Sequence, residues 1–399
     1  MKVKNGFKYK KNGWNYIHIS GEPYERGLAH GTLLKEEIQE CLKMMEWNLY
    51  DSHGFKIDFF KEFSNFIFKN PLEKNFPEFF EEIKGIAKGA SVDLDELILW
   101  NNYPSLDYAL PKIQKFLDEM PELKKQYGDI LEKLPESGQM EGGGKDKCSA
   151  FMAIGDYTHD GKICCAHNSF DNFIDGQYFN TIIDIKPKNG HRILFQSAPG
   201  YICSQTDFFI NSKGFIGTET TIGGFISYDH KDAISCRIRK CMQYANTLDE
   251  YVEFLKKENS GDYANSWLIG DTKNNEIMRV ELGLEFVNVE RKKNGYFIGF
   301  NAPYDARIRN LECVNSGFDD IRRHQGARKV RLEQLMDQHK GKLNIEIAQE
   351  IIADHYDVYL NKTNPCSRTT CSHYELDDRA FMSQSDRPLP YQPRGAVDG

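Results

Sequence analysis

The character of the chain changes abruptly at Cys148. The twelve residues before it, 136–147, carry four glycines and no hydrophobic periodicity. Such a stretch has little apolar surface to bury and reads as an exposed, mobile linker. The residues after it, Ser149–Ile154, are strand-like, and Cys148 stands first in that strand. Any fold must therefore accommodate a loose segment that ends where a core strand begins.

Upstream of the switch the pattern is helical. Apolar residues recur at helical spacing from Glu25 to about Asn48, again from Phe76 to Ala90, and Pro111–Leu134 is helix-prone. A new helix can be capped in Ser91-Val92-Asp93-Leu94. Downstream, short strands are expected at Lys162–Ala166, Tyr178–Ile185, Arg192–Gln196 and Phe208–Gly217. A helix is expected over Asp232–Lys257, then strands at Trp267–Gly270, Glu276–Glu281, Glu285–Val289 and Gly295–Gly299. Helices over Ala327–Gln338 and Ile345–Tyr356 follow. Strand sets interrupted by helices predict an α+β fold of antiparallel sheets covered by helices. The division is a helical N-terminal segment, 1–135, a linker, 136–147, and a core, 148–399.

The position of Cys148 has a chemical meaning. Cutting the Lys147–Cys148 bond frees an α-amine of pKa about 8 on the residue that carries the thiol. That amine can act as general base for its own side chain. On position alone, a small buried thiol opening a core strand is the commoner meaning.

The net charge of −8 argues against a nucleic-acid partner. Short basic runs such as Lys8-Tyr9-Lys10-Lys11 read as solvated surface. Ten cysteines in 399 residues are no disulfide scaffold. Cys164 and Cys165 read as buried thiols, Cys366 and Cys371 are too far apart for a redox pair, and no Cys/His spacing suggests zinc. Asn361-Lys362-Thr363 is a lone glycosylation sequon. No signal-like or membrane-spanning apolar run occurs, which predicts a cytoplasmic chain, or a secreted or lysosome-like one if a signal has been removed.

Several motifs follow one another in order. Cys148-Ser149-Ala150-Phe151, Ala166-His167-Asn168-Ser169-Phe170-Asp171-Asn172-Phe173, Ser197-Ala198-Pro199-Gly200 and Glu219-Thr220-Thr221-Ile222-Gly223 come first. Asn259-Ser260-Gly261-Asp262-Tyr263-Ala264-Asn265-Ser266-Trp267 and Ile321-Arg322-Arg323-His324-Gln325-Gly326 follow. Together they resemble the catalytic chain of phospholipase B-like proteins. Gly21–Gly27 with His30-Gly31, the stretch Glu82–Ala90, and Thr369-Thr370-Cys371-Ser372-His373 resemble the penicillin acyltransferase-like autoproteolytic hydrolases.

Both groups belong to the N-terminal nucleophile hydrolases. The resemblance implies a four-layer αββα sandwich and a propeptide-like N-terminal segment. It implies cleavage between Lys147 and Cys148, with Cys148 as nucleophile and Asn265 as oxyanion donor. His167 would orient substrate or stabilise charge, Asp171 would hold the new amine, and Arg323 or Arg328 would place a guanidinium near the thiolate. The expected activity is acyl hydrolysis or transfer, from an amide or ester, through a thioester on Cys148. The substrate would be a small acylated lipid or N-acyl compound, with no cofactor or metal. A catalytically silent scaffold binding lipid or a protein partner is the rival from another class. Two features depart from the resemblance. Lys147 stands where glycine is frequent, and the chain ends at Gly399 where similar sequences continue, so the core reads as a truncated one. The oligomeric state is left open.

Overall fold

The computed structural model describes residues 1–132, 148–204, 208–314, 317–376 and 394–398. The expected linker and Lys147 lie outside them.

Sixteen strands are present among the described residues. The first eight are β1 (Lys2–Val3), β2 (Gly6–Lys11), β3 (Trp14–Gly21), β4 (Cys148–Gly155), β5 (Gly161–Asn172), β6 (Thr181–Pro187), β7 (Ile193–Ser197) and β8 (Phe209–Asn211). Then come β9 (Phe215–Thr221), β10 (Asn265–Asp271), β11 (Glu276–Leu282), β12 (Val287–Lys292), β13 (Gly295–Gly299), β14 (Tyr356–Asp357), β15 (Lys362–Thr363) and β16 (Arg394–Asp398). A ten-stranded sheet runs β1-β2-β3-β6-β7-β8-β9-β10-β11-β12, and a four-stranded sheet runs β13-β4-β5-β16. All pairings are antiparallel except β3 with β6.

The buried residues define the layers. Ala150, Met152 and Ile154 of β4 pack with Leu268, Ile277 and Phe297, joining the two sheets. The opposite face of β4, with Phe151 and Ala153, packs on Leu332, Leu335, Met336 and Ile351 from helices His324–Gln338 and Ile345–Ile352. The outer face of the large sheet buries Ile17, Ile183, Phe195 and Trp267 under the N-terminal helices and helix Ile234–Tyr244. The result is the expected αββα order of four layers.

The first 21 residues correct the expectation of a helical N-terminal segment. They form β1–β3, and β3 alternates half-buried and buried positions at Asn15, Ile17 and Ile19. The basic run at Lys8 lies extended in β2, with Lys8 half-buried and Tyr9, Lys10 and Lys11 exposed, and Lys8 and Lys10 pair with Glu37 at 2.5 and 3.0 Å. Lysines near a sheet edge discourage pairing with another chain.

Local signals set the helix boundaries. Ser91 adopts the left-handed region (φ +57°) and ends helix Pro77–Ala90. Asp93 then accepts the amides of Asp95 and Glu96 at 3.1 Å and caps the next helix. The helix expected over 232–257 is two, because Thr247 caps Leu248–Lys256 through the Glu250 amide. The one expected from Glu25 is also two, Pro23–Leu33 and Lys35–His53.

Helices Pro23–Leu33 and Pro77–Ala90 touch backbone to backbone. A Cβ on Gly27 would lie 2.0 Å from the Glu82 carbonyl oxygen, and one on Gly85 would lie 2.3 Å from that of Tyr24. Only glycine permits that approach. Beside this contact, Glu82 is fully buried between Arg26 (Nε–Oε2 2.7 Å) and Arg239 (Nη2–Oε2 3.0 Å). Burial pushes the Glu82 carboxyl up, but Arg239 and Arg26 outweigh it and hold it below its usual range. Among the described residues, no helix is long and apolar enough to cross a membrane.

Candidate active site

Cys148 is 1% exposed at the first position of β4. Its thiol donates to Glu219 Oε1 at 3.2 Å, and its backbone N–H donates to Asn301 Oδ1, also at 3.2 Å. Arg328, buried on helix His324–Gln338, donates to the Cys148 carbonyl oxygen, to Ser149 Oγ at 3.1 Å and to Asn301 Oδ1 at 2.7 Å. The nitrogen, carbonyl and sulfur of one residue thus each meet a separate buried group. Tyr263 donates its hydroxyl to Glu219 Oε1 at 3.2 Å.

The strand register adds two expected residues. Cys148 pairs with Ser169 of β5, and Ala150 pairs with His167. Paired residues and those two apart share a face, so His167, Ser169 and Asp171 lie on the face of Cys148. The Cys148 sulfur, a His167 ring nitrogen and a Glu219 carboxylate oxygen all lie within 4.8 Å of one another. Asn265 opens β10 directly opposite Thr221 of β9. Glu219, two residues before Thr221, shares that face, so Asn265 is its diagonal neighbour at about 7–8 Å between backbones. Asn301 Nδ2 donates to the Thr221 carbonyl at 2.7 Å, joining this end of β9 to Cys148. The Asn265 side chain is fully buried, and neither amide atom has a hydrogen-bond partner among the described residues.

Asp171, expected to hold the amine freed at Cys148, accepts the neighbouring Asn172 amide on Oδ1 at 2.9 Å, while the Cys148 amide donates to Asn301 Oδ1. Of the two arginines, Arg328 reaches Cys148, and Arg323 does not. Arg323 is the half-buried N-cap residue of the same helix, and its Nε lacks a partner among the described residues. Glu219, Asn301 and Tyr263 carry no assigned role in the sequence reading. Asn301 and Tyr263 are held at φ +67° and +51°, backbone strain of about 1–3 kcal/mol each that clusters at functional sites.

Burial alone lowers His167 to a pKa of about 3. Burial also lowers His30 to about 4, against the pull of Glu82. Both rings are neutral when folded, so neither supplies a cation near neutral pH. Unfolded, each takes a proton below its usual 6.5. The stability that depends on their neutrality is therefore complete above pH 6.5 and falls as pH drops toward about 4, by roughly 1.4 kcal/mol per unit from each. Urea unfolding at stepped pH should show this slope, and His167→Gln should remove about one histidine's share. An equal slope in that variant would reject the assignment to His167.

The family model described as Phospholipase B matches residues 9–326 of this chain. The chain belongs to the phospholipase B family. An uncharacterized protein from Archaeoglobus fulgidus is 26% identical over 66% of this chain and 42% of its own length. Phospholipase B from Crotalus adamanteus is 28% identical over 50% of this chain and 39% of its own. The chain thus spans about two fifths of the length of these two relatives. A solved structure of a conjugated bile acid hydrolase variant from Clostridium perfringens is 13% identical, with a TM-score of 0.30 over 58% of this chain and 80% of its own. The phospholipase B match takes in Cys148, His167, Glu219, Asn265 and Asn301, and ends two residues before Arg328.

Proposed function

We propose that this chain is a self-processing acyl hydrolase or acyltransferase that works through a thioester on Cys148. The observation that carries the reading is the arrangement around that residue, where separate buried groups meet its nitrogen and its sulfur. In the first step Sγ attacks the Lys147 carbonyl carbon and the Lys147–Cys148 C–N bond breaks. The thiol proton passes to the Glu219 carboxylate and on to the departing amine. Water then hydrolyses the Lys147 thioester, releasing its carboxyl group and restoring the thiol. Residues 1–135 remain packed on the core as a processed N-terminal segment.

In turnover, the freed amine takes the thiol proton as Sγ attacks a substrate carbonyl. Asn265 Nδ2 donates to the oxygen that becomes negative. The ammonium returns its proton to the leaving alcohol or amine. Water resolves the acyl thioester in a hydrolase, and an acceptor amine does so in a transferase. The substrate is a small acylated molecule, and the relatives' name favours a lipid ester among the candidates.

The test combines trapping with one substitution. Acid-quenched protein incubated with acyl ester or N-acyl substrates should carry the acyl mass on the Cys148 peptide. Asn265→Ala should lower kcat by roughly 10²–10³, about 3–4 kcal/mol of barrier, with little change in KM. A folded Asn265→Ala protein with unchanged kcat would remove Asn265 from this role.

A further inference from the structure

A second cluster of ligating atoms lies away from Cys148, after helix Ile345–Ile352. His355 Nε2 and His373 Nε2 are 3.0 Å apart, and Cys371 Sγ is 3.5 Å from His373 Nε2. All three atoms lie within 4.8 Å of one another, and all three side chains are half-buried. Tetrahedral zinc bonds of about 2.0–2.1 Å to nitrogen and about 2.3 Å to sulfur separate two nitrogens by about 3.3 Å, and nitrogen from sulfur by about 3.6 Å. The observed spacings are close to those of three corners of one coordination sphere. Beyond these three, His373 Nδ1 lies 2.6 Å from Glu375 Oε1. A carboxylate on Nδ1 fixes the tautomer whose Nε2 lone pair is free to bind a metal.

Backbone hydrogen bonds help to hold these residues in place. The Cys371 amide donates to the Asp354 carbonyl at 3.1 Å, and the His373 amide donates to that of Cys366 at 3.0 Å. The β14–β15 hairpin returns the chain between His355 and Cys371. That return explains why sequence spacing shows no zinc motif, since His355 stands 16 residues before Cys371.

We propose that His355, Cys371 and His373 bind one divalent zinc-like ion, with Glu375 orienting His373 and a fourth position open to water or another ligand. Two imidazoles with a thiolate favour zinc over magnesium or calcium, which prefer oxygen. The Ser372 carbonyl accepts the Ala396 amide of β16 at 3.1 Å, and Asn168 Nδ2 of β5 donates to the Ile352 carbonyl at 2.6 Å. A bound ion would therefore clamp this segment against the strand that carries His167.

The test uses the full chain bearing Cys148→Ala, which removes the thiol from the other trio of ligating atoms. Chelator-stripped protein is titrated with cobalt(II), then with zinc. One equivalent of cobalt should give a thiolate charge-transfer band and visible bands of tetrahedral intensity, and zinc should displace it. Adding Cys371→Ser should abolish the charge-transfer band. Glu375→Gln, which removes no ligand, should weaken affinity roughly 10–100-fold, and His355→Ala or His373→Ala should weaken it further. Absence of tetrahedral cobalt in the Cys148→Ala protein would overturn the proposal. So would unchanged affinity in a Glu375→Gln protein whose circular dichroism matches the parent.

Discussion

Cys148→Ala is expected to remain a single chain of 46.1 kDa and to lose acyl transfer. The substitution removes the atom that attacks in both proposed steps. Loss of a nucleophile that acts with its base as a unit lowers turnover by on the order of 10⁶ in serine proteases, and an effect of that class is expected here. The fold should survive, because Asn301 and Arg328 hold backbone atoms of residue 148 rather than its sulfur. Tyr263 continues to donate to Glu219. Intact mass and turnover on the trapped substrate decide the matter together. A variant cut like wild type would assign the cleavage to another protease. An uncut variant with undiminished turnover would remove Cys148 as the nucleophile.

Glu82→Ala is expected to destabilise the fold by about 3–5 kcal/mol, since it leaves the buried Arg239 guanidinium without its carboxylate and Arg26 with one carboxylate fewer. Arg26 and Arg239 are 1% and 0% exposed, and both donate to this one carboxylate. Glu78 retains one bond to Arg26, and the Ile202 carbonyl retains one to Arg239, so the loss falls short of complete unfolding. The matched control is Glu81→Ala, whose pair with Lys84 is exposed on the same helix and contributes about 0–1 kcal/mol. Urea unfolding in the Cys148→Ala background keeps the comparison to one uncut chain. Equal midpoints for the two variants would show that the buried network carries no special stability.

The α+β class was legible because strand alternation and helical spacing are local properties of the chain. Gly295–Gly299 appears at its expected bounds, and Pro77–Ala90 begins one residue late, at proline. The strands of residues 2–21 were hidden because β2 is largely exposed and rich in lysine, which matches a solvated run as well as it matches an outer strand. Position and resemblance pointed to Cys148, and register sets His167 on its face and Asn265 diagonally from Glu219. Glu219 opens one of the matched motifs but, like Asn301, drew no role, because their importance depends on strands far apart in sequence meeting beside one sulfur. One signal was available for Asn301. Asparagine tolerates left-handed backbone better than most residues, and here it stands two residues after a strand.

The parallel ladder between β3 and β6 runs from Asn15–Thr181 to Gly21–Pro187, so it crosses the proposed cut in chain order. If the proposed Lys147–Cys148 cut is made, that ladder would become the seam of a two-chain assembly. Shedding residues 1–135 would bare the β6 edge and strip the helical cover from one sheet. The upstream piece would then be a permanent subunit, not a discarded leader. Folding would occur once, as a unimolecular event, and any later reassembly would be bimolecular and dependent on dilution. The mature protein would persist through its unfolding barrier more than through its capacity to refold.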